Sequence, residues 1–337
     1  MTEPVMTPKI LIACDLAESF RDRLKKAGFS LAVVPGRDAL ADSLKGVQGL
    51  FIGARFRFTR ELLEQADCLE AISFCGAGVG TYVDEETATR NGIAVMNAPG
   101  VNADAVAEYA LGFLLALQKF LIAENNAIKT GSPLRAMNFS VRGMIIGILG
   151  MGHVGRRIAE ILFHGFRTPV LYHSRSRKPQ AEEALAARYV SFDTLLSASD
   201  ALFLCLPETD ETHGMIGAGE LARMKKNALL INPARPGLVD GHALFQALRD
   251  GVIRAAAFDG YYLSHPYPPT PAEDAFGLLS LADDRFLCTP HVASRNRKVW
   301  DDLFEQATAN LLEFFATGDC AHIVNPGFRD HRRRKTG

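Results

Sequence analysis

Short apolar runs, each bounded by polar or turn-forming residues, recur through the first part of the chain at 10–13, 31–34, 49–52, 71–74 and 93–96. Segments of helical period, such as 19–27 and 60–65, lie between them. Unbroken runs this short predict strands buried on both faces, and their alternation with helices predicts a parallel sheet. A second series at 170–173, 201–206, 228–231, 255–258 and 285–288 predicts another, larger sheet. The fold class that follows is α/β, with two doubly wound domains. The longest apolar stretch, 110–123, is interrupted by Gln118 and Lys119. It is too short to cross a bilayer and fits a buried or interface helix.

Composition narrows the function without naming it. A chain of 337 residues with 48% hydrophobic and 22% charged positions can build two sizeable cores. A formal net charge of -1 offers no electrostatic case for nucleic acid or an acidic membrane surface, so a small molecule is the expected partner. Six cysteines without a C-x-x-C pair, most of them in apolar runs, read as reduced thiols of a cytoplasmic protein, and no metal site is expected. The N-terminal MTEPVMTPKI lacks the apolar core of a secretion signal. The proline-rich segment 263–271 reads as an irregular insert, and the final HRRRKTG as a solvated tail.

The most informative residues are MIIGILGMGHVG at 144–155, where an apolar run meets Gly150, Gly152 and Gly155. The first glycine suits a tight turn, the second lets backbone approach a pyrophosphate, and the third permits close packing of helix on strand. A helix opening near His153 and Val154 would aim free N–H groups at phosphates. About twenty residues on, where an acid ordinarily accepts from the ribose hydroxyls, the chain reads Ser174, Arg175, Ser176, Arg177. A carboxylate would repel a 2'-phosphate, whereas a guanidinium flanked by hydroxyls binds one, so NADP is the expected cofactor, with NAD possible.

Two further residues follow strands at the sheet edge where α/β folds keep their sites: Arg235 in NPARPGLVD and His291 in TPHVAS. An arginine that grips a carboxylate and a histidine that passes a proton near neutral pH are what ketoacid reduction requires.

With these residues the chain resembles the D-isomer specific 2-hydroxyacid dehydrogenases, most of all their NADPH-using glyoxylate and hydroxypyruvate reductase members. The resemblance runs through GAGVGTYVD (76–84), NAPGVNADAVAE (97–108), GMGHVG, LLSASD (195–200), LPETDET (206–212), NPARPGLVD, Asp259 and TPHVAS. It implies a Rossmann cofactor domain, residues 109–291, inserted in a flavodoxin-like substrate domain made of 1–108 and 292–337, with the site in the cleft. It also implies that backbone at Ala77 and Gly78 holds the substrate carboxylate and that Asp259 binds the nicotinamide amide. Leu206, Pro207, Thr212 and Ala234 would lie against the cofactor.

Two departures stand out. The family's D-V-F-x-x-E-P pattern supplies a glutamate that pairs with the histidine, but here DGYYLSHP puts Ser264 or His265 in that place, with Glu273 and Asp274 as substitutes. Without that carboxylate the imidazolium is less favoured. Pro236 replaces a glycine after Arg235, fixing φ and removing an N–H. The leading expectation is reduction of a small 2-keto acid, with Arg235 polarising the carbonyl and His291 as acid or base. A changed substrate such as formate, phosphite or a phosphonate is one alternative; a nucleotide-sensing protein with decayed catalysis is another. Arg55, Arg57 and Arg60 are candidates for a second anionic group on the substrate, Arg55 foremost. Leu111, Leu114, Leu115 and Phe120 give 110–123 an apolar stripe suited to a homodimer.

Overall fold

The computed structural model describes residues 7–132, 136–262 and 271–331. The described chain forms two compact units. One is built from the segment up to Asn102 and the segment from Arg297 onward; the other is Ala103–Asn296. The division precedes the helix Ala103–Lys119 and follows the His291 loop, so both lie whole within the second unit, whereas a boundary between 108 and 109 falls inside that helix and one between 291 and 292 inside that loop.

The first unit holds a five-stranded parallel sheet of β1 (Lys9–Ala13), β2 (Ser30–Val33), β3 (Gly49–Ile52), β4 (Ala71–Phe74) and β5 (Ala94–Met96), in the order β2-β1-β3-β4-β5. That is the flavodoxin-like order. Register explains its core: Leu11 lies beside Leu50, Leu50 beside Ile72, and Ile72 beside Val95, so one apolar row crosses four strands. The opposite face is covered by the helix Arg297–Thr317, where Phe304 meets Phe51 and the buried Ser73 hydroxyl donates to the Ala307 carbonyl at 2.9 Å.

The second unit holds seven parallel strands: β6 (Ile146–Leu149), β7 (Val170–His173), β8 (Arg188–Tyr189), β9 (Ala201–Leu204), β10 (Leu229–Asn232), β11 (Ala255–Asp259) and β12 (Phe286–Thr289). Their order, β12-β11-β10-β9-β6-β7-β8, reverses direction next to β6. Ile148, Phe203, Ile231 and Ala257 stand side by side on one face, and Leu149, Leu202, Leu230 and Ala256 fill the other. Burial on both faces is why these strands read as continuous apolar runs. Edge strand β8, exposed at both its residues, carries no such run and has no signal in the sequence.

The stretch 110–123 is divided between two helices. Leu111 and Leu114 belong to the core of the second unit. The helix ends at Lys119, Phe120 takes a left-handed conformation (φ 53°), and a second helix, Leu121–Lys129, leaves at 59°. Among the described residues no single helix is long and apolar enough to cross a membrane. All six cysteines are free thiols, and Cys68 is exposed rather than buried.

Candidate active site

Strand β6 ends in the glycine turn, and each glycine meets a different constraint. Gly150 has φ +99°, and a Cβ there would fall 2.5 Å from the Cys205 carbonyl oxygen. A Cβ at Gly155 would fall 2.2 Å from the Gly150 carbonyl oxygen, so the helix His153–Phe166 can lie against the turn only through glycine. Gly152 caps that helix with ordinary φ, and a Cβ there would touch nothing within 4 Å. The open room above Gly152 and the N–H groups of His153 and Val154, which lie in the first turn of the helix, fit a dinucleotide pyrophosphate.

Past β7, the loop sorts its charges. Arg177 pairs with Glu182 at 2.5 Å, and the Tyr172 hydroxyl donates to the same carboxylate at 2.6 Å. Arg175 enters no ion pair among the described residues. The Ser174 hydroxyl donates to the Ser176 carbonyl at 2.7 Å, and Lys178 donates to the Ser176 hydroxyl at 3.1 Å. Among the described residues, the exposed end of this strand therefore keeps Arg175 and Lys178 uncommitted to carboxylates, and Lys178 had no signal beyond its charge. Further along the edge, Leu206 and Pro207 follow β9, and the Thr212 hydroxyl donates to the Pro207 carbonyl at 2.8 Å, pinning that loop.

Arg235 and His291 come together. Arg235 follows β10, and His291 follows β12 with φ 54°; the Arg235 Nη1 lies 3.5 Å from the His291 Nε2. The backbone of Arg235 is bracketed by buried Asn232, whose Nδ2 donates to the Arg235 carbonyl at 2.7 Å and whose Oδ1 accepts from the Ala234 N–H at 3.1 Å. The His291 Nδ1–H is assigned as donor to the Asp259 carbonyl at 3.1 Å, which leaves Nε2 facing Arg235. The side chain of Asp259, 1% exposed, accepts from the Thr289 hydroxyl (2.7 Å) and from the N–H groups of Val292 and Ala293 (both 2.8 Å). It anchors the loop that carries His291. Burial first, then the Arg235 charge, pushes the His291 pKa below its usual range, against the opposing pull of Asp259.

In the first unit, the loop after β4 presents the N–H groups of Ala77 and Gly78, which donate to no protein acceptor among the described residues. Two nearby arginines are committed: Arg57 Nε donates to the Thr81 carbonyl at 2.9 Å, and Arg60 pairs with Glu64 at 2.8 Å. The Arg55 side chain is 59% exposed; its guanidinium lies 3.8 Å from Asp15 and 5.4 Å from the centroid of the Phe56 ring.

The family profile of the D-isomer specific 2-hydroxyacid dehydrogenase NAD binding domain matches residues 111–293. A glyoxylate reductase of Thermococcus litoralis is 33% identical, with 95% of this chain and 97% of the relative aligned. The chain belongs to the D-isomer specific 2-hydroxyacid dehydrogenases. A glyoxylate reductase of Aeropyrum pernix is 36% identical, over 86% of this chain and 87% of its own. The solved NADPH-dependent glyoxylate/hydroxypyruvate reductase of Sinorhizobium meliloti, described in complex with NADP and malonate, superposes with a TM-score of 0.78 at 27% identity, covering 97% of this chain and 99% of that one.

As a 2-hydroxyacid dehydrogenase, the protein is a nicotinamide-dinucleotide-dependent oxidoreductase that interconverts small 2-keto and 2-hydroxy acids. The relatives lend no support to the atypical-substrate or sensing readings. Within the family this chain keeps its own departures. Ser264 and His265 lie outside the described residues. Asp274 is no substitute for the family glutamate: it accepts from the Tyr261 hydroxyl and from the N–H groups of Phe276 (3.0 Å) and Leu279 (2.7 Å). Among the described residues, the carboxylate within ion-pair range of His291 is that of Asp259, 3.9 Å from Nδ1. Pro236 is absorbed without distortion. It opens a 3-10 turn, Pro236–Leu238, where a missing N–H costs nothing, and Arg235 before it is extended, as a residue preceding proline prefers.

Proposed function

We propose that this dehydrogenase works as a reductase of a small 2-keto acid of the glyoxylate and hydroxypyruvate class, preferring NADPH to NADH. The observation that carries the reading is the meeting of Arg235 and His291 at 3.5 Å on the same sheet edge as the glycine turn after β6. When bound, the nicotinamide supplies the hydride. His291 holds its transferable proton at Nε2, the atom facing Arg235, because Nδ1 is occupied by the Asp259 carbonyl. Arg235 draws the keto oxygen towards that proton and polarises it. The N–H groups of Ala77 and Gly78 hold the substrate carboxylate. Asp259 serves mainly as the anchor of the His291 loop, since three of its acceptor positions are already filled.

Cofactor preference rests on the loop after β7. Ser174, Arg175 and Ser176 would take the 2'-phosphate with Lys178 beside them, while Arg177 is neutralised by Glu182. His153, Val154 and Gly155 would cradle the pyrophosphate, and Leu206, Pro207, Thr212 and Ala234 would line the rest of the cofactor. Arg55 would meet a second anionic group on larger substrates. The S. meliloti neighbour, named as NADPH-dependent, supports the same preference.

A homodimer is the assembly we infer, but through a different surface from the stripe of the Ala103–Lys119 helix. The helix Leu121–Lys129 buries none of its residues, and it exposes Leu121 (55%), Ile122 (41%) and Ile128 (62%) near the exposed Met137 and Phe139. An apolar patch of this kind marks an interaction surface, and a second copy of the chain is the occupant we assign to it.

The test is steady-state oxidation of NADPH and of NADH with glyoxylate and with hydroxypyruvate. Turnover with a higher kcat/KM for NADPH is expected. Absence of turnover with both acids would sink the substrate assignment, and parity between the cofactors would sink the preference.

A further inference from the structure

The two N–H groups assigned above to the substrate carboxylate sit on peptide units whose carbonyls are held from the other side. In a trans peptide the C=O of one residue and the N–H of the next point in opposite directions. The Gly76 carbonyl accepts from the Ala98 N–H at 2.8 Å, which sets the direction of the Ala77 N–H. The Ala77 carbonyl accepts from the Asn97 Nδ2 at 2.6 Å, which sets the direction of the Gly78 N–H. Both locks come from consecutive residues just beyond β5.

Asn97 is itself fixed at both backbone ends. Its N–H donates to the His322 carbonyl at 3.2 Å, and its carbonyl accepts from the Asn310 Nδ2 at 2.8 Å. Asn310 is fully buried in the helix Arg297–Thr317, and its Oδ1 accepts from Gln306 Nε2 (3.0 Å) and from His322 Nδ1 (2.9 Å). A chain of side-chain amides thus runs from the last long helix through Asn310 and Asn97 to the Ala77 carbonyl. An aspartate at 97 would set a second acceptor against that carbonyl, and an apolar residue would leave it unheld.

We propose that Asn97 is a positioning residue of this dehydrogenase: by gripping the Ala77 carbonyl it aims the Gly78 N–H at the substrate carboxylate, with Asn310 as its support. The assignment rests on the reading that Ala77 and Gly78 hold that carboxylate. It makes a side chain that holds the peptide between Ala77 and Gly78 a determinant of affinity for the acid.

The experiment compares wild type, Asn97→Ala and Asn97→Ser on glyoxylate and on its neutral amide, with NADPH affinity followed by fluorescence. Asn97→Ala is expected to raise KM for glyoxylate about three- to tenfold, the worth of one hydrogen bond. It should raise KM for the amide less, leave NADPH affinity unchanged, and be partly rescued by Asn97→Ser, whose hydroxyl still donates. An unchanged KM for glyoxylate in Asn97→Ala, with or without a fall in thermal midpoint, overturns the proposal. So does an equal loss for acid and amide. Should Asn97→Ala not fold, the same KM comparison on Asn97→Ser decides. A wild type that uses the amide as well as the acid overturns instead the underlying reading of the Ala77 loop.

Discussion

At the scale of single residues, the proton donor is the most exposed to test. His291 lacks the family's carboxylate partner among the described residues, and burial and Arg235 both disfavour its charged form. A donor must carry its proton, so reduction should fall as pH rises through a midpoint below the ordinary histidine value of about 6.5, while oxidation of the hydroxy acid should rise over the same range. A midpoint above that value in the rate profile would mean that a carboxylate pairs with the ring after all. Replacing His291 with alanine should cost about 10²- to 10⁴-fold in kcat for ketoacid reduction. Arg175→Ala should weaken NADPH by about ten- to a hundredfold, through one lost charge-assisted contact, and leave NADH untouched. Titration of both cofactors by fluorescence checks this, and equal losses would count against a 2'-phosphate site.

The glycine turn allows a prediction at the scale of the element. Gly152→Ala meets no atom within 4 Å and should keep the thermal midpoint of the wild type while losing cofactor affinity, because its methyl occupies the space a phosphate needs. Gly155→Ala forces a methyl against the Gly150 carbonyl, 2.2 Å away, and should destabilise by about 1–3 kcal/mol as helix and strand move apart. Thermal melts alongside NADPH titration separate the two. Equal destabilisation by both substitutions would contradict the assigned division of labour. Strand existence was legible in the sequence because burial on both faces leaves unbroken apolar runs, as in 71–74 and 201–204. The two-residue strand β8 was not, since an exposed edge pairing imposes no apolar pattern.

For the whole molecule, the exposed Leu121, Ile122 and Ile128 of the helix Leu121–Lys129 predict a dimer mass in light scattering at micromolar concentration. Ile128→Glu should shift that mass to the monomer without lowering the thermal midpoint of the fold; a monomeric wild type would refute the assembly. The sequence by itself determined the α/β class, the glycine turn, the family, and Arg235 and His291 as the pair to watch. Each of these depends on local order: a strand running into a turn, or a charged residue placed just after a buried run. Only the tertiary structure decided how the arginines divide their charge, with Arg177 taken by Glu182 and Arg57 by a carbonyl while Arg175 enters no ion pair among the described residues. It also decided that Leu111 and Leu114 serve an intramolecular core, and that Asn97 grips the Ala77 carbonyl while Asn310, a residue far along the chain, holds the Asn97 carbonyl. These are contacts between distant segments, and no periodicity or spacing along a chain records which distant donor will meet which acceptor once the sheets have formed.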